Sequence, residues 1–131
     1  MPQRTALIID DEPDVTTYHG TLLEDHGWQV MTANSGDDGL ELARSNPPDI
    51  VLLDVMMPER GGMSTFVALR KDPATKSIPV VLVTGIQETL TQDFQAYLQR
   101  FKAYHPDGYI EKPVDPDRLL TLLDELTTVT S

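Results

Sequence analysis

Five short runs rich in Leu, Ile and Val punctuate the chain, and the segments between them carry apolar residues at helical spacing. The runs are ALIID (6–10), WQVMTA (28–33), DIVLLD (49–54), IPVVLVTG (78–85) and GYIEK (108–112). Their apolar character is nearly continuous, which is typical of strands buried on both faces of a parallel sheet. The order predicts an α/β fold, (βα)5, in which a doubly wound, five-stranded parallel sheet is covered by helices on both sides.

Capping residues mark where the predicted helices begin. Pro13 and Pro116 suit the first helical turn, and each follows an acidic residue that can cap the helix, Glu12 and Asp115. Ser35 can cap the second helix, which the stretch SNPPD closes before the third strand. A chain of 131 residues with 40% apolar residues has room for one core, so we predict a single domain over residues 1–131.

Composition narrows the class of protein. The chain has no cysteine, which excludes disulfides, thiolate metal sites and a cysteine nucleophile. Its formal net charge is -11, whereas binding to a phosphate backbone needs a basic surface, so we expect no direct contact with nucleic acid. No apolar run approaches membrane-spanning length and the N-terminus does not resemble a signal peptide, so we expect a soluble, cytoplasmic protein without membrane contact.

Charged and polar residues stand where the apolar runs end. Asp10 and Asp11 close the first run, Asp54 the third, Thr84 lies at the end of the fourth, and Lys112 closes the fifth. Because ligands bind outside the carboxyl ends of strands in such sheets, we expect these side chains to converge on one edge. Three clustered carboxylates repel each other, which a cation offsets, and hard oxygen ligands without His or Cys favour Mg²⁺.

The Asp54 carboxylate is also suited to attack phosphorus and form an acyl phosphate. Mg²⁺ and Lys112 would neutralise the transferred group, to which Thr84 could donate a hydrogen bond. A purely structural interpretation stands beside this one. Asp10 and Asp11 can cap the first helix, a lysine at a strand end commonly extends into solvent, and threonine is a common strand residue. The combination of all these residues at one edge favours the chemical interpretation.

Four stretches resemble the receiver domain of bacterial two-component response regulators: LIIDDEPDV, PDIVLLDVMMPERGG, PVVLVTG and GYIEKPVDPDRL. The resemblance implies a flavodoxin-like fold with strand order 2-1-3-4-5. It also implies that Asp54 accepts a phosphoryl group from a sensor histidine kinase or a histidine phosphotransfer protein. Asp11, Asp54 and the backbone carbonyl of Met56 would bind Mg²⁺ directly, and Asp10 would bind it through water.

The resemblance further implies a conformational switch. Thr84 and Lys112 match the hydroxyl and the lysine that contact the phosphoryl group, and Thr84 and Tyr109 match a coupled hydroxyl and aromatic pair. Phosphorylation would then change the face made by the fourth helix, the fifth strand and the fifth helix, which would control a downstream protein partner or output domain. Pro113 follows Lys112 as in the family, where this Lys–Pro peptide is commonly cis.

The sequence departs from the family pattern in two places. Gly61 replaces the usual acidic or amide residue of the loop after the third strand, and the segment between Thr84 and Lys112 is longer than typical. A seam of five residues in that segment has spacings of 4, 3, 4 and 3: Leu90, Phe94, Tyr97, Phe101 and Tyr104. It is either the face packed on the sheet or a surface for partner docking or homodimerisation through the fourth helix. The three histidines, His19, His26 and His105, are expected at the surface.

Two other functions compete with the phosphoacceptor switch. A receiver-like interaction module that works without phosphorylation usually lacks one of the acids or the lysine, whereas this chain retains them all. A phosphatase with an aspartyl nucleophile, of the haloacid-dehalogenase type, has a D-x-D pattern on its first strand, whereas Asp10 and Glu12 give D-x-E here. We therefore expect no enzyme beyond a receiver that catalyses its own phosphorylation and dephosphorylation.

Overall fold

The structure of the protein is a computed structural model that describes residues 3–55, 62–84 and 106–127. Its strands are β1 (Thr5–Ile9), β2 (Gln29–Ala33), β3 (Ile50–Asp54), β4 (Val80–Thr84) and β5 (Gly108–Glu111). The described helices are α1 (Pro13–Asp25), α2 (Gly36–Ser45), α3 (Gly62–Lys71) and α4 (Pro116–Thr127). The strands form one parallel sheet in the order β2-β1-β3-β4-β5, which confirms the predicted architecture and strand order.

Helices pack on both faces of this sheet, because alternate strand residues point to opposite sides. Leu7 and Ile9 of β1 belong to a cluster with residues of α2 and α3, whereas Ala6 and Ile8 pack with residues of α1 and α4. Gly39 allows α2 to approach closely, since a Cβ at this position would lie 2.4 Å from Cδ1 of Ile9. The central strands β3 and β4 are buried along their whole length, as their continuous apolar character predicts.

The helix caps agree with the sequence at two of three positions. Ser35 Oγ accepts a hydrogen bond from the Asp38 N–H at 3.1 Å, and Asp115 Oδ1 accepts one from the Asp117 N–H at 3.0 Å. The side chain of Glu12 makes no capping bond at the start of α1, so the predicted acidic cap is wrong there.

His19 is buried, and the prediction that it lies at the surface is wrong. It belongs to the inner face of α1 together with Thr16 and Leu23, since residues three and four positions apart share one side of a helix. Burial lowers the pKa of His19 below its usual value, and the nearby Lys112 charge lowers it further. His26 is exposed, as predicted.

Several expectations fall on segments outside the described residues. They concern Met56, Gly61, His105, the predicted fourth helix and its apolar seam, so helix α4 corresponds to the fifth helix of the sequence prediction. Within the described ranges, no helix combines the length and the apolar character needed to cross a membrane.

Candidate functional site

Three aspartates meet at the carboxyl edge of the sheet. Asp54 is the last residue of β3, and Asp10 and Asp11 directly follow β1, the strand that pairs with β3. One carboxylate oxygen from each lies within 4.8 Å of the others. Asp54 is only 2% exposed and Asp10 only 3%, whereas Asp11 is half-buried. The structure thus brings together the three carboxylates that the sequence singles out.

Hydrogen bonds to neighbouring segments hold Asp10 in place. Its backbone N–H donates to the Ala33 carbonyl at 3.0 Å, and its Oδ1 accepts from the Glu12 N–H at 3.0 Å. The Asn34 side-chain amide donates to the Asp10 carbonyl at 2.9 Å. Sequence reasoning missed Asn34, although its position directly after β2 places it at the same edge of the sheet.

Burial and a neighbouring carboxylate disfavour the charged form of Asp10. Burial, together with the nearby Asp54, raises the pKa of Asp10 from 3.8 to about 7, against the opposing effect of the Glu12 N–H bond. Near neutral pH, Asp10 is therefore partly protonated instead of fully ionised. A cation bound among the three carboxylates would remove this repulsion, and a set of hard oxygen ligands suits Mg²⁺.

Lys112 supplies positive charge to the same edge. Its Nζ lies 3.0 Å from Oδ2 of Asp54, and its backbone N–H donates to the Thr84 carbonyl at 2.7 Å. Burial opposes the charge of Lys112, but the hydrogen bond and charge of Asp54, with the charge of Asp10, outweigh it and raise the pKa of the ammonium group. The Lys112–Pro113 peptide bond is cis, the isomer that the resemblance implies.

Thr84 and Tyr109 lie on neighbouring strands next to this cluster. Thr84 pairs with Glu111 and Leu82 pairs with Tyr109, so the side chains of Thr84 and Tyr109 leave the same face of the sheet two positions apart. Thr84 is buried, whereas Tyr109 is 37% exposed. Partial burial raises the pKa of the Tyr109 phenol. This placement is compatible with a coupled pair in which a change at Thr84 is transmitted to Tyr109.

Comparisons with known proteins cover most of the chain. A family model described as the response regulator receiver domain matches residues 6–124. Protein PilH of Pseudomonas aeruginosa is 38% identical over 118 residues, which span 90% of this chain and 93% of PilH. Protein Rrf1 of Nitratidesulfovibrio vulgaris is 32% identical over 124 residues, which span 95% of this chain and 82% of Rrf1.

Solved structures with a similar fold include a chemotaxis protein. The chemotaxis protein CheY4 of Vibrio cholerae superimposes with a TM-score of 0.81 at 28% sequence identity. The superposition covers 95% of this chain and 99% of the CheY4 chain.

Proposed function

The chain belongs to the response regulator receiver domain family of two-component signalling, and on that premise we propose that Asp54 is its phosphoacceptor. The donor is a phosphohistidine of a sensor histidine kinase or of a histidine phosphotransfer protein. The observation that carries the proposal is the position of Asp54, which is buried at the end of β3, clusters with the Asp10 and Asp11 carboxylates and contacts the Lys112 ammonium.

The transfer needs one bond to form and one to break. An oxygen of the Asp54 carboxylate attacks phosphorus, the P–N bond to the donor imidazole breaks, and the imidazole leaves with the electron pair of that bond. Mg²⁺, when bound, would neutralise charge on the transferred group. Asp11, Asp54 and the Met56 carbonyl are the proposed direct ligands, with Asp10 acting through water. Lys112 already contacts the Asp54 carboxylate and would pair with a phosphoryl oxygen.

Phosphorylation would act through Thr84 and Tyr109. The Thr84 hydroxyl donates a hydrogen bond to the phosphoryl group, and the space it leaves lets the Tyr109 ring turn inward. Tyr109 is partly exposed here, so an inward turn would bury it further. The resulting population shift alters the face that includes β5 and α4 and controls a downstream protein partner or an output domain.

The experiment is phosphorylation with acetyl phosphate, a small donor that needs no partner protein. We expect a hydroxylamine-sensitive acyl phosphate that forms only with Mg²⁺, is absent in Asp54→Asn, and persists in Asp72→Asn, whose carboxylate lies at the other end of the sheet. Intact-protein mass spectrometry with peptide mapping measures the modification. Incorporation into Asp54→Asn would place the acceptor elsewhere, and no incorporation into the wild type would favour the interaction module without phosphorylation.

A further inference from the structure

A network of polar contacts joins the amino ends of β4 and β5 to the last turn of α3. Its members are Arg70, Asp107 and the backbone of Val80, which together we call the register latch. Asp107 directly precedes β5, and Val80 is the first residue of β4. The latch therefore lies at the opposite end of these strands from Thr84 and Lys112.

Within the latch, Asp107 and Val80 hydrogen-bond each other in both directions. The Asp107 N–H donates to the Val80 carbonyl at 2.9 Å, and the Val80 N–H donates to Oδ2 of Asp107 at 2.8 Å. The same carboxylate oxygen accepts from Nη2 of Arg70 at 2.5 Å, while Nη1 of Arg70 donates to the Ile78 carbonyl at 2.8 Å. The side chain of Arg70 is only 11% exposed, and its guanidinium carbon lies over the Phe66 ring, 5.2 Å from the ring centroid. One carboxylate thus fixes Val80, Arg70 and the entry to β5 together.

Strand β5 has few features of its own that set its register. It has four residues and, among the described strands, pairs only with β4. Of those four residues only Ile110 is buried. Register is strongly specified where a strand buries one complete face, and a single buried side chain specifies it weakly.

The register of β5 decides where the functional side chains point. At present Tyr109 lies opposite Leu82, and Lys112 follows the strand to reach Asp54. A slip by one residue would send each side chain to the other face, so the buried position of Ile110 would pass to Tyr109 or Glu111. Lys112 would then also move by about 3.3 Å along the strand direction, away from its present contact.

We propose that Arg70 and Asp107 are positioning residues that set the register of β5 and thereby place Lys112 and Tyr109 for the phosphoacceptor switch. The proposal rests on the proposed function for the roles of those two side chains, but the register itself does not depend on it. A charged pair suits this position because the chain enters β5 after a segment that is longer than typical of the family, and one buried side chain specifies register only weakly.

The chain offers a matched control for this pair. Arg44 and Asp72 form a second Arg–Asp ion pair at the same end of the sheet, which links α2 to the end of α3. Asp72 also caps its own turn by accepting from the Ala74 N–H at 2.9 Å, so it resembles Asp107 in bonding both a guanidinium and a backbone N–H. None of these contacts includes β5. Substitutions at Asp72 therefore cost stability without touching the register.

The experiment compares Asp107→Ala, Asp107→Asn and Arg70→Lys with the control Asp72→Ala. Cross-strand NOEs between the backbones of β4 and β5 report the register, and titration with beryllofluoride and Mg²⁺ reports the site. We expect Asp107→Ala to lose the wild-type NOE pattern and to bind beryllofluoride at least about tenfold more weakly, since small misplacements are costly in such sites. Asp107→Asn keeps an oxygen for the Val80 N–H and should retain the pattern. Arg70→Lys keeps the positive charge but loses the two guanidinium N–H groups that bond Asp107 and Ile78. Its affinity for beryllofluoride should therefore fall less than that of Asp107→Ala.

Two results would overturn the latch: wild-type NOEs and affinity in Asp107→Ala, or an equal loss of affinity in Asp72→Ala. If Asp107→Ala does not fold, a fully wild-type Arg70→Lys, in both NOEs and affinity, would count against it. A failure of the proposed function looks different. In that case wild-type protein does not bind beryllofluoride at all, and the NOEs of β4 and β5 still decide whether Asp107 sets the register.

Discussion

The aspartates at the two ends of the sheet have different partners. At the amino end, where strands begin and helices finish, aspartates are matched with cations or backbone N–H groups. The ion pairs described there are Arg4–Asp124, Arg44–Asp72 and Arg70–Asp107. At the carboxyl end, Asp10, Asp11 and Asp54 cluster together, and the ion pair described there joins Lys112 to Asp54.

The pKa values follow this division. The Arg44 hydrogen bond lowers the pKa of Asp72, with help from the Ala74 N–H, whereas burial and a neighbouring carboxylate raise that of Asp10 to about 7. The same residue type therefore stabilises one end of the fold and destabilises the other. The excess negative charge is retained where a cation and a phosphoryl group are proposed to bind, which is expected of a site shaped for ligands.

The largest test of this contrast is the effect of Mg²⁺ on stability. A ligand that binds only the folded state at a hundred times its Kd raises the free energy of unfolding by about 2.7 kcal/mol. We therefore expect the melting temperature to rise by several degrees in saturating Mg²⁺, and Asp11→Ala to lose that rise. Asp72→Ala, at the matched end, should lower the melting temperature and keep the full response to Mg²⁺. An unchanged response in Asp11→Ala would remove Asp11 from the proposed ligands.

The second test uses pH in the absence of divalent cations. Folding raises the pKa of Asp10 from 3.8 to about 7, so between these pH values the folded state binds more protons than the unfolded state. The free energy of unfolding should accordingly fall as pH rises from about 4 to 7. The shift corresponds to at most about 4 kcal/mol, and solvent at the open edge reduces it to on the order of 2 kcal/mol.

Other carboxylates titrate in the same range, so this effect is measured as a difference from Asp10→Asn. Chemical denaturation across the pH series gives the free energy of each protein. The wild type should lose stability relative to Asp10→Asn as pH rises, and millimolar Mg²⁺ should suppress the difference. Parallel curves would show that Asp10 is not held in a repulsive cluster.

Sequence patterns were sufficient to predict the fold and to predict that the site side chains meet at one edge of the sheet. Buried parallel strands leave an unmistakable apolar signature, as in IVLLD of β3, and the topology of such a sheet places every strand's carboxyl end at one edge. Asp10, Asp54 and Lys112 could therefore be brought together without any knowledge of their distances. The strand ends differ from the predicted runs by at most two residues.

Three details that sequence reasoning missed depend on contacts between distant segments. Nothing local to Asn34 shows that its amide reaches the carbonyl of Asp10, since this depends on how β2 lies beside β1. His19 is polar, and only its place on the inner face of α1 buries it. The bond between Arg70 and Asp107 joins residues 37 positions apart, with no pattern that links them. Tertiary packing determines all three.

The smallest expected effect on stability comes from neutralising one aspartate at each end of the sheet. The two substitutions should change stability in opposite directions. Asp54→Asn removes a repelling charge next to Asp10 and keeps an oxygen for Lys112, so in the absence of Mg²⁺ at pH 8 it should raise the free energy of unfolding by about 1 kcal/mol. Asp72→Asn weakens an ion pair with Arg44 and should lower the melting temperature. Adding Mg²⁺ should narrow or reverse the advantage of Asp54→Asn, because the wild type then gains more from the cation. Urea denaturation with and without Mg²⁺ measures both variants, and a loss of stability in metal-free Asp54→Asn would mean that its contact with Lys112 outweighs the repulsion among the carboxylates.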